Sequence, residues 1–113
     1  SDEQIATMLQ EGFATAQTDM QQRALVEAAV DADRMLLATQ SALDADGRLL
    51  TADERALVDA LMQGVRDALM RRESAAAIEA ATEVLAKGTE AFAAARMNLS
   101  IQQALAGKDI GSL

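Results

Sequence analysis

The residues best placed to do chemistry are carboxylates near the middle of the chain, where Asp44 and Asp46 stand two apart and Gly47 follows. This spacing partly matches the calcium-binding loop of an EF-hand, in which oxygen ligands surround a turn glycine. The match fails at both ends, because Ala42 occupies the first ligand position and Asp53 stands where calcium requires a bidentate glutamate. We therefore expect no metal site here.

Catalytic chemistry has little support elsewhere. The chain has no His, Cys, Tyr or Trp, and no glycine-rich loop follows a strand pattern. General acid–base and nucleophilic catalysis draw mainly on those side chains, and the acidic residues are spread over helix faces. We expect no catalytic residue and no cofactor-binding residue in this chain.

Charge and hydropathy exclude two further classes of partner. The net charge is −8 and the pI is about 4.3, which argues against nucleic acid because phosphate binding needs clustered Lys and Arg. The adjacent pair Arg71 and Arg72 fits the last turn of a helix, where positive charge meets the negative end of the macrodipole. No apolar run approaches the ~20 residues of a membrane span, and no secretory leader pattern is visible. We expect no membrane partner and a cytoplasmic protein, which the lack of cysteine permits.

An all-α fold follows from a chain rich in alanine and without proline. Residues 2 to about 45 are predicted to form a long N-terminal arm, as one helix or two nearly collinear helices, with Gly12 as a bend. Ser1 and Gln4 form a capping-box pattern at its start. Apolar residues at helical spacing form a stripe along the first half of the helix, and this stripe is expected to continue more sparsely along the second half. The first stripe comprises Ile5, Met8, Leu9, Gly12, Phe13, Ala16 and Met20, and its continuation comprises Leu25, Ala29, Ala32, Leu36, Thr39 and Leu43.

A compact helical bundle should follow the arm. Asp46-Gly47 ends the first element, and Thr51 with Glu54 predicts a capped helix from about 52 to 71. We expect its buried stripe to be Leu57, Leu61, Val65 and Leu69, flanked by Val58 and Met62.

The next helix is predicted to start after Ser74 and to carry an apolar seam with alternating steps of three and four residues. Gly88 within the seam indicates close approach of a neighbouring helix. Ser100 with Gln103 predicts a short last helix that ends at Gly107, followed by a tail over 108–113. The seam comprises Ile78, Ala81, Leu85, Gly88, Phe92, Ala95 and Leu99.

The methionines divide into two groups. Met62, Met70 and Met97 are expected to fill a core that alanine leaves loose. Met8 and Met20 share the stripe of the arm with Phe13, and nothing in this chain need cover them. We therefore expect the arm to present a partner-binding or self-association face of Ile5, Met8, Leu9, Phe13 and Met20, and the isolated chain to form a homodimer through it.

Four segments carry a resemblance to a known family, and they occur in its order. They are SDEQI with Met8-Leu9 at the start, FATAQTDM at 13–20, LLTADER at 49–55 and FAAARMNLSIQQALAG at 92–107. These segments resemble the C-terminal helical lid of the HscA family, the DnaK-type (heat shock protein 70) chaperones of iron–sulfur cluster assembly. The resemblance covers essentially the whole chain.

The resemblance implies a lid that closes over a client peptide held by a β-sandwich and slows its release. Residues 1–20 would pack on that sandwich, and 21–107 would form the bundle. ATP and Mg would bind in a nucleotide-binding domain that this chain does not contain. The partners implied for the complete protein are an iron–sulfur scaffold protein and a J-domain cochaperone.

The resemblance also implies a latch, since DnaK-type lids use an acidic residue midway along the long helix to hold the sandwich. Asp33 falls at about that place, although Leu37 replaces the polar residue one turn on. The end of the chain lacks the Glu-Glu-Val-Asp tail that some relatives offer to helical-repeat cochaperones, so no such partner is expected. Composition alone leaves an alternative open, which is a free-standing helical protein-interaction or lipid-surface module.

Overall fold

The computed structural model describes the backbone of residues 1–111 and the side chains of residues 1–107. Within this part of the chain the fold is all-α, as predicted, with α1 (Asp2–Asp46), α2 (Ala52–Arg71), α3 (Ala75–Gly88) and α4 (Glu90–Gly111). A 3-10 turn over Gly47–Leu49 joins α1 to α2. The predicted tail lies partly inside α4, and its residues 112–113 lie outside the described residues.

Helix α1 is one uninterrupted helix, which settles the choice between one helix and two. The Ser1 hydroxyl accepts a hydrogen bond from the Gln4 N–H (3.3 Å), and the Ser1 amino group donates to Gln4 Oε1 (3.3 Å). These bonds form the predicted capping box. Gly12 lies inside the helix, which continues without a break on either side of it.

We expected the apolar stripe of α1 to continue along one side of the helix. Instead it changes sides. Ile5 and Ala32 are separated by about seven and a half turns at 3.6 residues per turn, so they point in opposite directions. Leu9 and Leu36 have the same separation. The first stripe is exposed throughout, whereas the second is buried or half-buried against the bundle. Its buried members are Ala29, Ala32, Thr39 and Leu43.

Helix α2 has the predicted bounds and the predicted cap. The Thr51 N–H donates to Glu54 Oε1 (2.9 Å), and the Glu54 N–H donates to the Thr51 hydroxyl (3.1 Å). The helix ends at Arg71, and Arg72 follows in the left-handed conformation with φ 46°. The basic pair therefore lies at the end of the helix, as expected.

The buried face of α2 differs from the predicted stripe at one position. Leu57 is 56% exposed, whereas Val58, Met62 and Val65 are buried. One residue turns the helix by about 100°, so a face centred on Val58 places Leu57 at its edge. Leu61 and Leu69 are half-buried and pack against the core.

Ser74 caps α3 as predicted, accepting a hydrogen bond from the Ala77 N–H (3.1 Å). The helix breaks at Thr89 and not at Ser100. The Thr89 hydroxyl donates to the carbonyls of Leu85 and Ala86 (3.0 and 3.1 Å). Ser100 lies inside α4, so the expectation of a short last helix ending at Gly107 was wrong.

The core is formed by one side of α1, by α2, by α3 and by the first turn of α4. Helix α3 packs against both α1 and α2. Close approach at Gly88 is confirmed, since a Cβ there would overlap Leu61 Cδ1. Met62 is buried as expected, but Met70 and Met97 are 83% and 66% exposed, so their assignment to the core was wrong. The largest fully buried side chains are Met62, Val65, Ile78 and Leu85.

The molecule is a rod with extents of 87 × 33 × 16 Å. Ser74 and Ala75 lie beside Thr18 and Leu25, so α3 runs alongside α1 in the same direction. Arg96 reaches Asp46 at the end of α1, and α4 continues beyond that point. The arm and the end of α4 therefore project from opposite ends of the bundle.

Candidate interaction site

An exposed apolar surface lies on the arm (residues 1–20). Every residue from Ser1 to Arg23 is exposed. Five large apolar side chains that the sequence places in the stripe of the arm remain uncovered by the described chain. They are Ile5 (57% exposed), Met8 (70%), Leu9 (70%), Phe13 (71%) and Met20 (68%). Contiguous exposed apolar groups of this kind typically mark a surface that binds another protein.

The arm is helical without tertiary packing, and local interactions support it. Asp2 and Glu3 lie in the first turn, where negative charge is favourable to the helix dipole. The Thr7 and Thr15 hydroxyls donate hydrogen bonds to the carbonyls of Glu3 and Glu11 (both 2.9 Å). Isolated helices of this length are marginal in water. The arm therefore depends on its continuity with the packed half of α1.

The change of side along α1 fixes where a partner of the arm can lie. The bundle covers the side that carries Ala32 and Leu36, and the stripe of the arm faces about 180° away. A protein that covers Ile5 and Leu9 therefore approaches α1 from the side opposite to the bundle.

Exposed apolar residues continue along α1 beyond the arm. Val26, Val30 and Leu37 are 54%, 43% and 72% exposed. Their spacing of four and seven residues places them on one side of the helix, and Asp33 falls between them on that side. Asp33 is itself exposed. Sequence reasoning singled out Asp33 but missed Val26 and Val30, although their spacing would have revealed them.

The carboxylates of the EF-hand-like stretch, Asp44 and Asp46, form hydrogen bonds and ion pairs with other side chains of the protein. Asp44 Oδ1 accepts a hydrogen bond from Gln40 Nε2 (2.9 Å). Asp46 Oδ2 accepts one from Arg96 Nε (2.8 Å), and Asp46 Oδ1 lies 3.5 Å from Arg48 Nη1. Over the described residues, no group of three or more His, Cys, Asp or Glu side chains is arranged to hold a metal ion.

The Asp46–Arg96 pair joins the end of α1 to α4, and sequence reasoning missed it. No periodicity links residues so far apart in the chain. The Arg96 guanidinium also lies over the Phe92 ring, 6.0 Å from its centroid. The contact with Asp46 holds the first turns of α4 against the bundle, whereas the contact with Phe92 lies within α4.

The arm is acidic as well as apolar. Asp2, Glu3, Glu11 and Asp19 are its charged side chains, and the first basic residue after them is Arg23. Helices that lie on lipid surfaces usually carry Lys and Arg on their polar face, so this pattern favours a protein partner over anionic lipid. Among the helices of the described chain, none combines the length and the hydropathy needed to cross a bilayer.

Comparison with known proteins gives consistent results. The family model described as "Hsp70 protein" matches residues 1–98. The chain is 67% identical over 113 residues to a protein named "Chaperone protein HscA homolog" from Acidovorax sp. (strain JS42). Proteins of the same name from Delftia acidovorans and Burkholderia cenocepacia are 68% and 54% identical to this chain over 113 residues. All of this chain is aligned in each case, but it spans only 18% of the length of these relatives.

Proposed function

The chain belongs to the Hsp70 family, in its HscA branch, and on that premise we propose that residues 1–113 form the helical lid of a chaperone's substrate-binding domain. The main support for this proposal is the apolar face of the arm, which points away from the bundle. Five large apolar side chains are exposed there, on the side of α1 opposite to the bundle. That arrangement suits a helix that lies between a β-sandwich on one side and its own bundle on the other.

The proposed action of the lid is kinetic. The arm packs on the sandwich, and the bundle covers the bound peptide. Covering a peptide adds few contacts to it but blocks its exit, so the main effect falls on the dissociation rate. ATP and Mg²⁺ act in a nucleotide-binding domain outside this chain and govern when the lid opens. The chain itself supplies a rigid helical cover and no catalytic group.

Asp33 is the proposed latch. Its carboxylate is exposed between Val30 and Leu37, on a strip of α1 that the bundle leaves open. A carboxylate there can accept hydrogen bonds from a donor on the sandwich, while the neighbouring apolar side chains exclude water from the contact.

The proposed clients and partners are those that the resemblance to the HscA branch implies. As part of an HscA-type chaperone, the chain would act in the cytoplasm on an iron–sulfur scaffold protein, with a J-domain cochaperone stimulating the ATPase domain. Neither partner need touch residues 1–113.

The lid role is tested in the complete chaperone by measuring release of a fluorescent client peptide in the presence of ADP. We expect deletion of residues 1–113 to speed release by about tenfold or more, with a smaller change in the association rate. Phe13→Glu, which places a charge on the arm face, should also speed release. Unchanged release after the deletion would contradict the lid role.

The latch has a matched control two residues away. Asp33→Asn removes the charge from the open strip, whereas Asp31→Asn removes an exposed charge elsewhere on the same helix. We expect Asp33→Asn to speed peptide release several-fold and Asp31→Asn to leave it unchanged. Equal effects of the two substitutions would count against a latch at Asp33.

A further inference from the structure

A second exposed apolar surface lies on the part of α4 that projects beyond the bundle. Met97, Ile101 and Leu105 are 66%, 50% and 56% exposed. Their spacing of four residues places them along one side of the helix, and we call this surface the α4 stripe. It lies at the opposite end of the molecule from the arm, so a partner that covers the arm leaves it open.

The surroundings of the α4 stripe are uncharged. Between Arg96 and Lys108 the chain has no acidic or basic residue, and this is its longest uncharged stretch. The whole chain carries a net charge of −8, and the arm has four acidic side chains. Charge repulsion between two copies is therefore weakest where two α4 stripes meet.

The spacing of the α4 stripe is symmetric about its centre. Met97 and Leu105 each lie four residues from Ile101, and all three are apolar. When two such helices pair antiparallel, Ile101 meets Ile101 of the second copy and Met97 meets Leu105 of the second copy. A contact of this kind is isologous and closes on itself as a dimer.

We propose that the α4 stripe binds the α4 stripe of a second copy of this chain, antiparallel, with Ile101 at the two-fold axis. Three side chains bury much less than the ~800 Å² per partner of a stable interface, so the dimer is weak and depends on concentration. This association is independent of the lid role, because it uses neither the arm nor Asp33.

Single cysteines test the pairing directly, because the chain has no cysteine of its own. In the 113-residue chain, Ile101→Cys places a thiol at the proposed two-fold axis. Gln103→Cys, about 160° around the helix from it, is the matched control. We expect disulfide dimers of the Ile101→Cys variant to form about tenfold faster than those of the control, because pairing raises the effective thiol concentration. Equal rates would overturn the proposal.

The direction of pairing is tested with a mixture of variants. In an antiparallel pair, Met97→Cys cross-links to Leu105→Cys, and neither variant cross-links efficiently to itself. Rapid self-linking of Met97→Cys would indicate parallel helices and would overturn the proposed symmetry.

A further variant separates this contact from association through the arm. Phe13→Glu disrupts the arm face, so adding it to Ile101→Cys should leave the cross-linking rate unchanged. Loss of cross-linking in the double variant would assign the association to the arm and overturn the proposal. Circular dichroism checks that each variant keeps the helicity of the unmodified chain.

Discussion

Ile5 and Ala32 lie on opposite sides of one continuous helix. Ile5 is 57% exposed, whereas Ala32 is completely buried in the bundle. Because no break separates them, the bundle and any partner that packs on the arm are attached to the same helix. A rotation of α1 about its own axis would therefore disturb both contacts together, and the two are mechanically coupled.

The change of side predicts opposite effects of one substitution at two positions of α1. Phe13→Glu changes an exposed side chain and should alter the free energy of unfolding by no more than about 0.5 kcal/mol. Ala32→Glu places a carboxylate in the core and should cost more than about 3 kcal/mol. Urea unfolding followed by circular dichroism measures both. Similar losses in the two variants would show that the arm face is packed in solution.

The exposed face of the arm predicts self-association of the isolated chain. At high protein concentration we expect a light-scattering mass above that of one chain, because pairing covers the apolar side chains of the arm. Phe13→Glu should lower this mass while leaving the helicity nearly unchanged. A mass equal to one chain at high concentration for the unmodified protein would contradict association through the arm.

The Asp46–Arg96 pair predicts unequal effects of its two alanine variants. Asp46 lies at the C-terminal end of α1, where a negative charge opposes the helix dipole, so removing it also relieves an unfavourable interaction. Arg96→Ala should therefore destabilise the fold more than Asp46→Ala. Because the pair is partly exposed, a double-mutant cycle should give a coupling of about 0.5–1 kcal/mol. Additive effects would show that the hydrogen bond contributes nothing to stability.

Gly64 inside α2 and Gly88 at the end of α3 predict opposite outcomes for the same substitution. Gly64 has no atom near the position of an added Cβ, so Gly64→Ala should stabilise the fold by about 0.5–1 kcal/mol. At Gly88 the new Cβ overlaps Leu61, and repacking costs about 1–3 kcal/mol. Thermal unfolding compares the two variants. A stabilising Gly88→Ala would mean that Leu61 moves aside freely.

The capping box of α2 predicts a pH-dependent contribution to stability. Hydrogen bonds from Thr51, chiefly that of its backbone N–H, hold the pKa of Glu54 below its ordinary value of 4.5. A carboxylate with a depressed pKa stabilises the fold above pH 4.5, and this contribution is lost as the pH falls through the pKa of the folded state.

Glu54→Gln provides the test, because the amide oxygen can still accept the Thr51 hydrogen bond but does not titrate in this range. The melting temperature of the unmodified chain should exceed that of the variant at pH 7. The gap should narrow as the pH falls below 4.5. A gap that stays constant with pH would exclude Glu54 as its source.

Local signals predicted three helix starts and two helix ends well. The capping patterns at Ser1, Thr51 and Ser74 were correct, because a cap is formed by residues three apart that need no tertiary partner. The pattern at Ser100 failed, since α4 continues through it in a favourable helical sequence. The break at Thr89 gave no comparable signal, since other threonines of this chain, such as Thr39 and Thr82, lie inside unbroken helices.

Apart from the close approach at Gly88, contacts between distant elements were beyond sequence reasoning. The exposed face of the arm was expected from its stripe, but the side of the helix on which the bundle packs was not. Leu57 and Val58 are equally apolar, and only the position of α3 decides which of them is buried. The same holds for Met62, Met70 and Met97, of which only Met62 meets the core.

The elongated shape has a practical consequence for solution work. The radius of gyration is 22.2 Å, whereas a compact domain of this length has a value of about 13 Å. An elongated particle experiences more friction than a sphere of equal mass, so it diffuses slowly and elutes early from a sizing column. A single chain will therefore migrate like a larger globular protein, and a monomer judged by elution volume alone will be mistaken for a dimer.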